Sequence, residues 1–85
     1  MNNLNNFEKA KILFHKGLNK LQEENYEDAE LNFLDSLKLV PDRLSILNNL
    51  ISVYIVTEQK NKLKKILESH KYLINKNELQ YGVAH

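Results

Sequence analysis

Apolar residues recur along the chain at intervals of three and four, the spacing that sets side chains on one face of an α-helix. Over residues 7–22 the row is Phe7, Ala10, Phe14, Leu18 and Leu21, with Ile12 and Leu13 in a second row. Asn5 stands where an N-cap is needed, and Glu8 can reach back to it, a capping box with Asn in place of Ser or Thr. Glu23, Glu24 and Asn25 interrupt the pattern. Asn25 is a good cap for a second helix running to about residue 40, whose first turn carries Glu27 and Asp28 where the helix dipole favours anions. Its inward row is Tyr26, Ala29, Phe33, Ser36 and Leu37, and Pro41 ends it by disfavouring helical geometry at Val40. Asp42 is expected to cap a third helix over about 43–58, with Leu47, Leu50, Ile51, Tyr54 and Ile55 in phase. A fourth, over about 60–73, is expected to bury Leu63, Ile66, Leu67 and His70 and to leave Lys62, Lys64, Lys65 and Lys71 in water. Asn75, Lys76 and Asn77 read as a turn before a last amphipathic segment, 78–85, that carries Leu79, Tyr81 and Val83.

Helices of similar length joined by short polar turns invite a search for an internal period, and an offset of 34 residues keeps the pattern in phase. It superposes Ile12 on Ile46, Leu13 on Leu47, Leu21 on Ile55, Glu24 on Glu58, Phe33 on Leu67 and Leu39 on Leu73. In the first unit, about 10–43, Leu13, Gly17, Tyr26-Glu27-Asp28-Ala29, Phe33, Ser36-Leu37 and Pro41 follow in an order that resembles the tetratricopeptide repeat (TPR) family. Gly17 and Ala29 have a physical task in such a hairpin, because two antiparallel helices approach closely only where one side chain is nearly absent and a large one fills the wedge beside it. Lys16 and Ser36 depart from the family pattern, which usually has Leu and Ala there. A second unit, about 44–77, matches through Leu47, Leu50 and Tyr54, but Ile51, Leu63 and His70 replace small residues and should splay its hairpin. A partial third unit or capping helix, 78–85, puts Tyr81 in phase with Leu13 and Leu47. The resemblance implies one all-α domain over 1–85, a TPR-like superhelix of stacked antiparallel helical hairpins.

Composition agrees with a small helical domain. The chain has 85 residues, 42% hydrophobic and 27% charged, with 2 Gly and 1 Pro, too apolar for disorder and too poor in turn formers for an all-β fold. Twelve Lys plus Arg against 11 Asp plus Glu give a net charge of +1, so no overall field draws it to nucleic acid or anionic membranes. The absence of Cys removes disulfides and thiolate metal sites, and the opening Met1 to Asn6 has neither the basic nor the apolar region of a signal peptide. A cytoplasmic location is expected, with no membrane partner.

TPR arrays bind extended peptides or partner helices on the concave face of the first helices of successive hairpins. The resemblance therefore points to Lys11, Phe14, His15 and Leu18 in the first helix and to Ser45, Asn48, Asn49 and Ser52 in the third as partner-binding residues. Asn49 is the best single candidate, because an amide both donates to and accepts from a peptide backbone. The family's clamp for a terminal carboxylate wants Lys and Asn where this chain has Phe14 and Leu18, so that clamp is not expected. His15, His70 and His85 fall on different elements, and no HExxH, GxSxG or phosphate-cradling glycine loop occurs, so no catalytic residue, metal, cofactor or small-molecule substrate is expected. Glu23, Glu24, Glu27 and Asp28 read as turn and dipole residues, and the lysines between 60 and 65 as a solvated face. The expectation is a non-catalytic adaptor for a protein or peptide partner. The alternative is the N-terminal arm of a longer bacterial glycosyltransferase or methyltransferase, since similar repeats precede such domains.

Two hairpins fall short of the roughly three units that repeat arrays need for a shared core. Self-association is therefore expected, and light scattering at about 10–100 micromolar, a range suited to contacts of modest affinity, should show a dimer or larger. A strict monomer would instead require Leu79, Tyr81 and Val83 to cap the stack, and Tyr81→Ala would then lower stability without changing mass.

Overall fold

The computed structural model describes residues 4–73. Four helices follow one another, α1 (Asn6–Gln22), α2 (Tyr26–Leu39), α3 (Leu44–Val56) and α4 (Lys60–Ser69), and no strand occurs among the described residues. The expected all-α class holds. The segment proposed as a third unit, with Leu79, Tyr81, Val83 and His85, and the turn at 75–77 lie outside the described residues.

The helix starts follow the capping chemistry at two of four positions. Asn5 Oδ1 accepts from the Glu8 amide at 2.8 Å while Glu8 Oε1 accepts from the Asn5 amide at 3.4 Å, the expected capping box. Asn25 Oδ1 accepts from the Asp28 amide at 3.3 Å, and its Nδ2 donates to Asp28 Oδ2 at 3.0 Å. Asp42 is not a cap. Helix α3 begins one residue later than expected, with Arg43 at the N-cap and no side-chain bond to the freed amides.

The same turn joins α1 to α2 and α3 to α4. After α1, the Glu24 amide donates to Leu21 O at 3.0 Å and the Asn25 amide to Lys20 O at 2.8 Å; after α3, the Glu58 amide donates to Ile55 O at 3.2 Å and the Gln59 amide to Tyr54 O at 2.9 Å. This pair of bonds is a Schellman ending, in which the residue past the helix turns left-handed. Glu24 (φ 59°) and Glu58 (φ 55°) take that conformation without being glycine. The sites correspond across the 34-residue offset, so the internal period has a backbone counterpart.

Packing in the first hairpin centres on Gly17 and Phe33. A Cβ on Gly17 would lie 2.5 Å from Phe33 Cε1 and 2.7 Å from Cδ1, so the ring fills the space that any side chain on α1 would need. Phe33 is fully buried, as is Ala29 one turn earlier. Ser36, one turn later, donates its hydroxyl to the Ala10 carbonyl at 2.6 Å, a buried bond that ties α2 back to the start of α1. The bond offsets the cost of burying the hydroxyl.

Helix α3 shares the core. It buries Ile46, Leu47, Leu50, Val53 and Tyr54, so its inward stripe is turned from the expected one toward Ile46 and Val53, leaving Ile51 half-buried and Ile55 58% exposed. The cause is its position, for α3 packs against both α2 and α4 and its buried arc faces both. Helix α4 has only α3 as a principal neighbour and buries Ile66 alone, with Leu63 half-buried and Leu67 exposed, contrary to expectation. It ends at Ser69, with His70 as C-cap, half-buried, its Nδ1 3.0 Å from the Ile66 carbonyl.

One polar network crosses three helices. Glu30, buried on α2, accepts from the Tyr54 hydroxyl of α3 at 2.9 Å and from Lys62 Nζ of α4 at 3.0 Å. Lys62 is exposed, as expected, but its ammonium also reaches this interior acid. Burial first, then the hydrogen bond to Glu30 and that residue's charge, push the Tyr54 phenol well above its ordinary value.

Two outcomes follow. Gly17→Ala, which at an open helix position would gain about 1 kcal/mol, should here destabilise by about 1–3 kcal/mol through overpacking, read from the urea midpoint. Phe33→Leu in that background should recover part of the loss. Because the Tyr54 phenol is raised in the folded state, its contribution is complete below the unfolded value near pH 10 and is lost as pH rises toward the folded one. Between about pH 9 and 11 the native chain should therefore lose stability more steeply than Tyr54→Phe, and equal slopes would contradict this.

Candidate functional site

The hairpin turns leave the N-terminal half of α1 beside the start of α3, and a groove opens between them. Phe7, Ala10, Lys11, Phe14 and His15 line one side; Val40, Arg43, Ser45 and Ile46 line the other, around about 220 Å³. Its lower parts are built by the core. Ala10 and Ile46 are buried, and Phe14 rests on Phe33 with ring centroids 5.7 Å apart and on His15 at 6.0 Å. The Gly17–Phe33 approach therefore also fixes the height of Phe14 in the groove.

The rim is polar and of one sign. Lys11 and Arg43 contribute full charges, His15 a ring and Ser45 a hydroxyl, while no carboxylate lines the space. The Arg43 guanidinium sits over the Phe7 ring, 4.8 Å from its centroid, a cation–π contact. Phe7 remains 48% exposed beneath it.

Of the eight residues expected to form a binding face, Lys11, Phe14, His15 and Ser45 meet in this groove. Leu18 packs against the core, Asn48 and Ser52 are exposed outside the lining, and Asn49 spends an amide hydrogen on the Ser45 carbonyl of its own helix at 2.8 Å. The strongest sequence candidate thus satisfies its own helix. Phe7, Arg43 and Ile46 were not in the expected set. Phe7 lies four residues before Lys11 on the same helical row, so extending the row one turn toward the N-terminus would have reached it. No sequence signal places Arg43 over Phe7, a contact made only when α3 docks.

His15 and His70 sit on separate helices, and no group of three or more His, Asp or Glu side chains that could hold a metal occurs among the described residues. No helix among them is long and apolar enough to cross a membrane. Comparison with known proteins returns nothing: no family model, no curated protein and no solved structure matches the chain.

Proposed function

We propose that the chain is a TPR-like module that binds a peptide or helix of a partner protein in the groove between α1 and α3, without catalysis. The observation that carries this reading is the groove, with an apolar floor of Phe14 and Ile46 under a polar rim. Its roughly 220 Å³ is below the about 300–1,000 Å³ typical of small-molecule sites and fits one or two anchoring side chains. The 34-residue repetition of the turn at Glu24 and Glu58 supports the hairpin-repeat reading of the architecture. In that reading the groove is the concave face, and a cytoplasmic adaptor is the working role.

Selection from a displayed library of random peptides tests it. Binders should be recovered with Kd values of about 1–100 micromolar, and their amide shift changes should centre on Lys11, Phe14, His15, Ser45 and Ile46. Shifts centred on the outer faces of α2 and α4 would reject the site.

A further inference from the structure

We propose that the groove between α1 and α3 selects an internal polypeptide segment in which one large apolar side chain is flanked by aspartates or glutamates. The inference rests on reading the groove as a peptide site and adds the chemistry of its occupant. Charge complementarity carries it. Lys11, His15 and Arg43 surround the apolar floor and no acidic residue joins them, although the chain as a whole carries 11 acids against 12 Lys plus Arg. The one-signed rim is therefore a local arrangement and not the reflection of a basic protein.

The rim cations are also uncommitted among the described residues. The ion pairs there engage Lys20 with Glu23, Lys38 with Asp35 and Lys62 with Glu30, so neither Lys11 nor Arg43 has a carboxylate partner. Glu8, one helical turn from Lys11, is turned back to the Asn5 amide by the capping box. Arg43 is exposed and held over Phe7 at 4.8 Å, and a guanidinium can take a carboxylate through two parallel N–H bonds. An acidic side chain beside a buried anchor would meet Arg43, and one on the other flank would meet Lys11.

The floor decides between a protein and a nucleic acid. Phosphate tracking needs a row of cations, whereas here two full charges flank a hydrophobic pocket sized for a side chain. A terminal carboxylate is not needed either: the clamp that the family resemblance implies would want Lys and Asn where this chain has Phe14 and Leu18, and Phe14 packs on Phe33.

Fluorescence anisotropy with the full chain at about 0.05 M salt tests the proposal, using end-capped octapeptides with one phenylalanine flanked by four acidic residues, by the matching amides or by lysines, and oligouridine as a fourth probe. The acidic peptide should bind at least about tenfold more tightly than the amide peptide, and the lysine peptide and oligouridine should bind more weakly still. Arg43→Gln and Lys11→Gln should each remove most of that preference. Both residues are exposed and Arg43 makes no capping bond with its side chain, so unchanged helical circular dichroism should accompany the loss. Equal affinity for acidic and amide peptides, tighter binding of oligouridine, a requirement for a free C-terminus, or no binding of any peptide would each overturn the proposal. Amide shifts separate the two levels: equal affinities with shifts at Phe14 and Ile46 overturn the charge selectivity and leave the peptide site, while shifts elsewhere overturn both.

Discussion

The distance between α1 and α2 depends on a missing side chain. Phe33 occupies the volume that a Cβ on Gly17 would claim, and everything above that contact takes its position from it. Phe14 rests on the Phe33 ring, Ala10 is brought within reach of the Ser36 hydroxyl, and the first turns of α1 are left standing beside α3. Glycine inside a helix costs backbone entropy, and the stabilisation returned is the burial of a whole aromatic ring, on the order of 2 kcal/mol or more by area. The groove floor is thus a consequence of core packing, not a separate construction.

The second half of the molecule is attached by different means. Helix α3 brings a broad apolar face to α2, but α4 brings little more than Ile66 and Leu63, and it is tied to α2 through Lys62 and Glu30. A carboxylate buried between two donors is directional where apolar contact is not, so the network fixes which turn of α4 lies opposite α2. Lys62 keeps about half of its side chain in water, which limits the desolvation cost of the pair.

Much of the fold was legible because its determinants are local. Asn5, Glu8 and Asn25 cap the helices the pattern marks, and the apolar rows place α1 and α2 to within a residue or two of their ends. The rows fail where tertiary partners choose the buried arc: Ile46 and Val53 go inside and Ile55 outside because α3 faces two neighbours, and Leu67 is exposed because α4 faces one. The burial of Glu30 has no local signal, since nothing near it in sequence supplies its partners, which lie 24 and 32 residues away. The site divided in the same way. The helical row through Lys11, Phe14 and His15 was readable, whereas the seat of Arg43 on Phe7 joins residues that only the packing of α3 brings together.

The principal contacts run from each helix to the next along the chain, α1 with α2, α2 with α3 and α3 with α4. Such an arrangement is a string of interfaces of unequal strength rather than one indivisible core. The interface at α4 is the thinnest, so release of this helix breaks its ties to Glu30 and to the α3 core yet leaves the Gly17–Phe33 contact and the Ser36 bond untouched. Amide hydrogens of α4 would then exchange through openings that those of α2 do not share, and the groove between α1 and α3, to which α4 contributes no lining residue, would outlast the first step of unfolding.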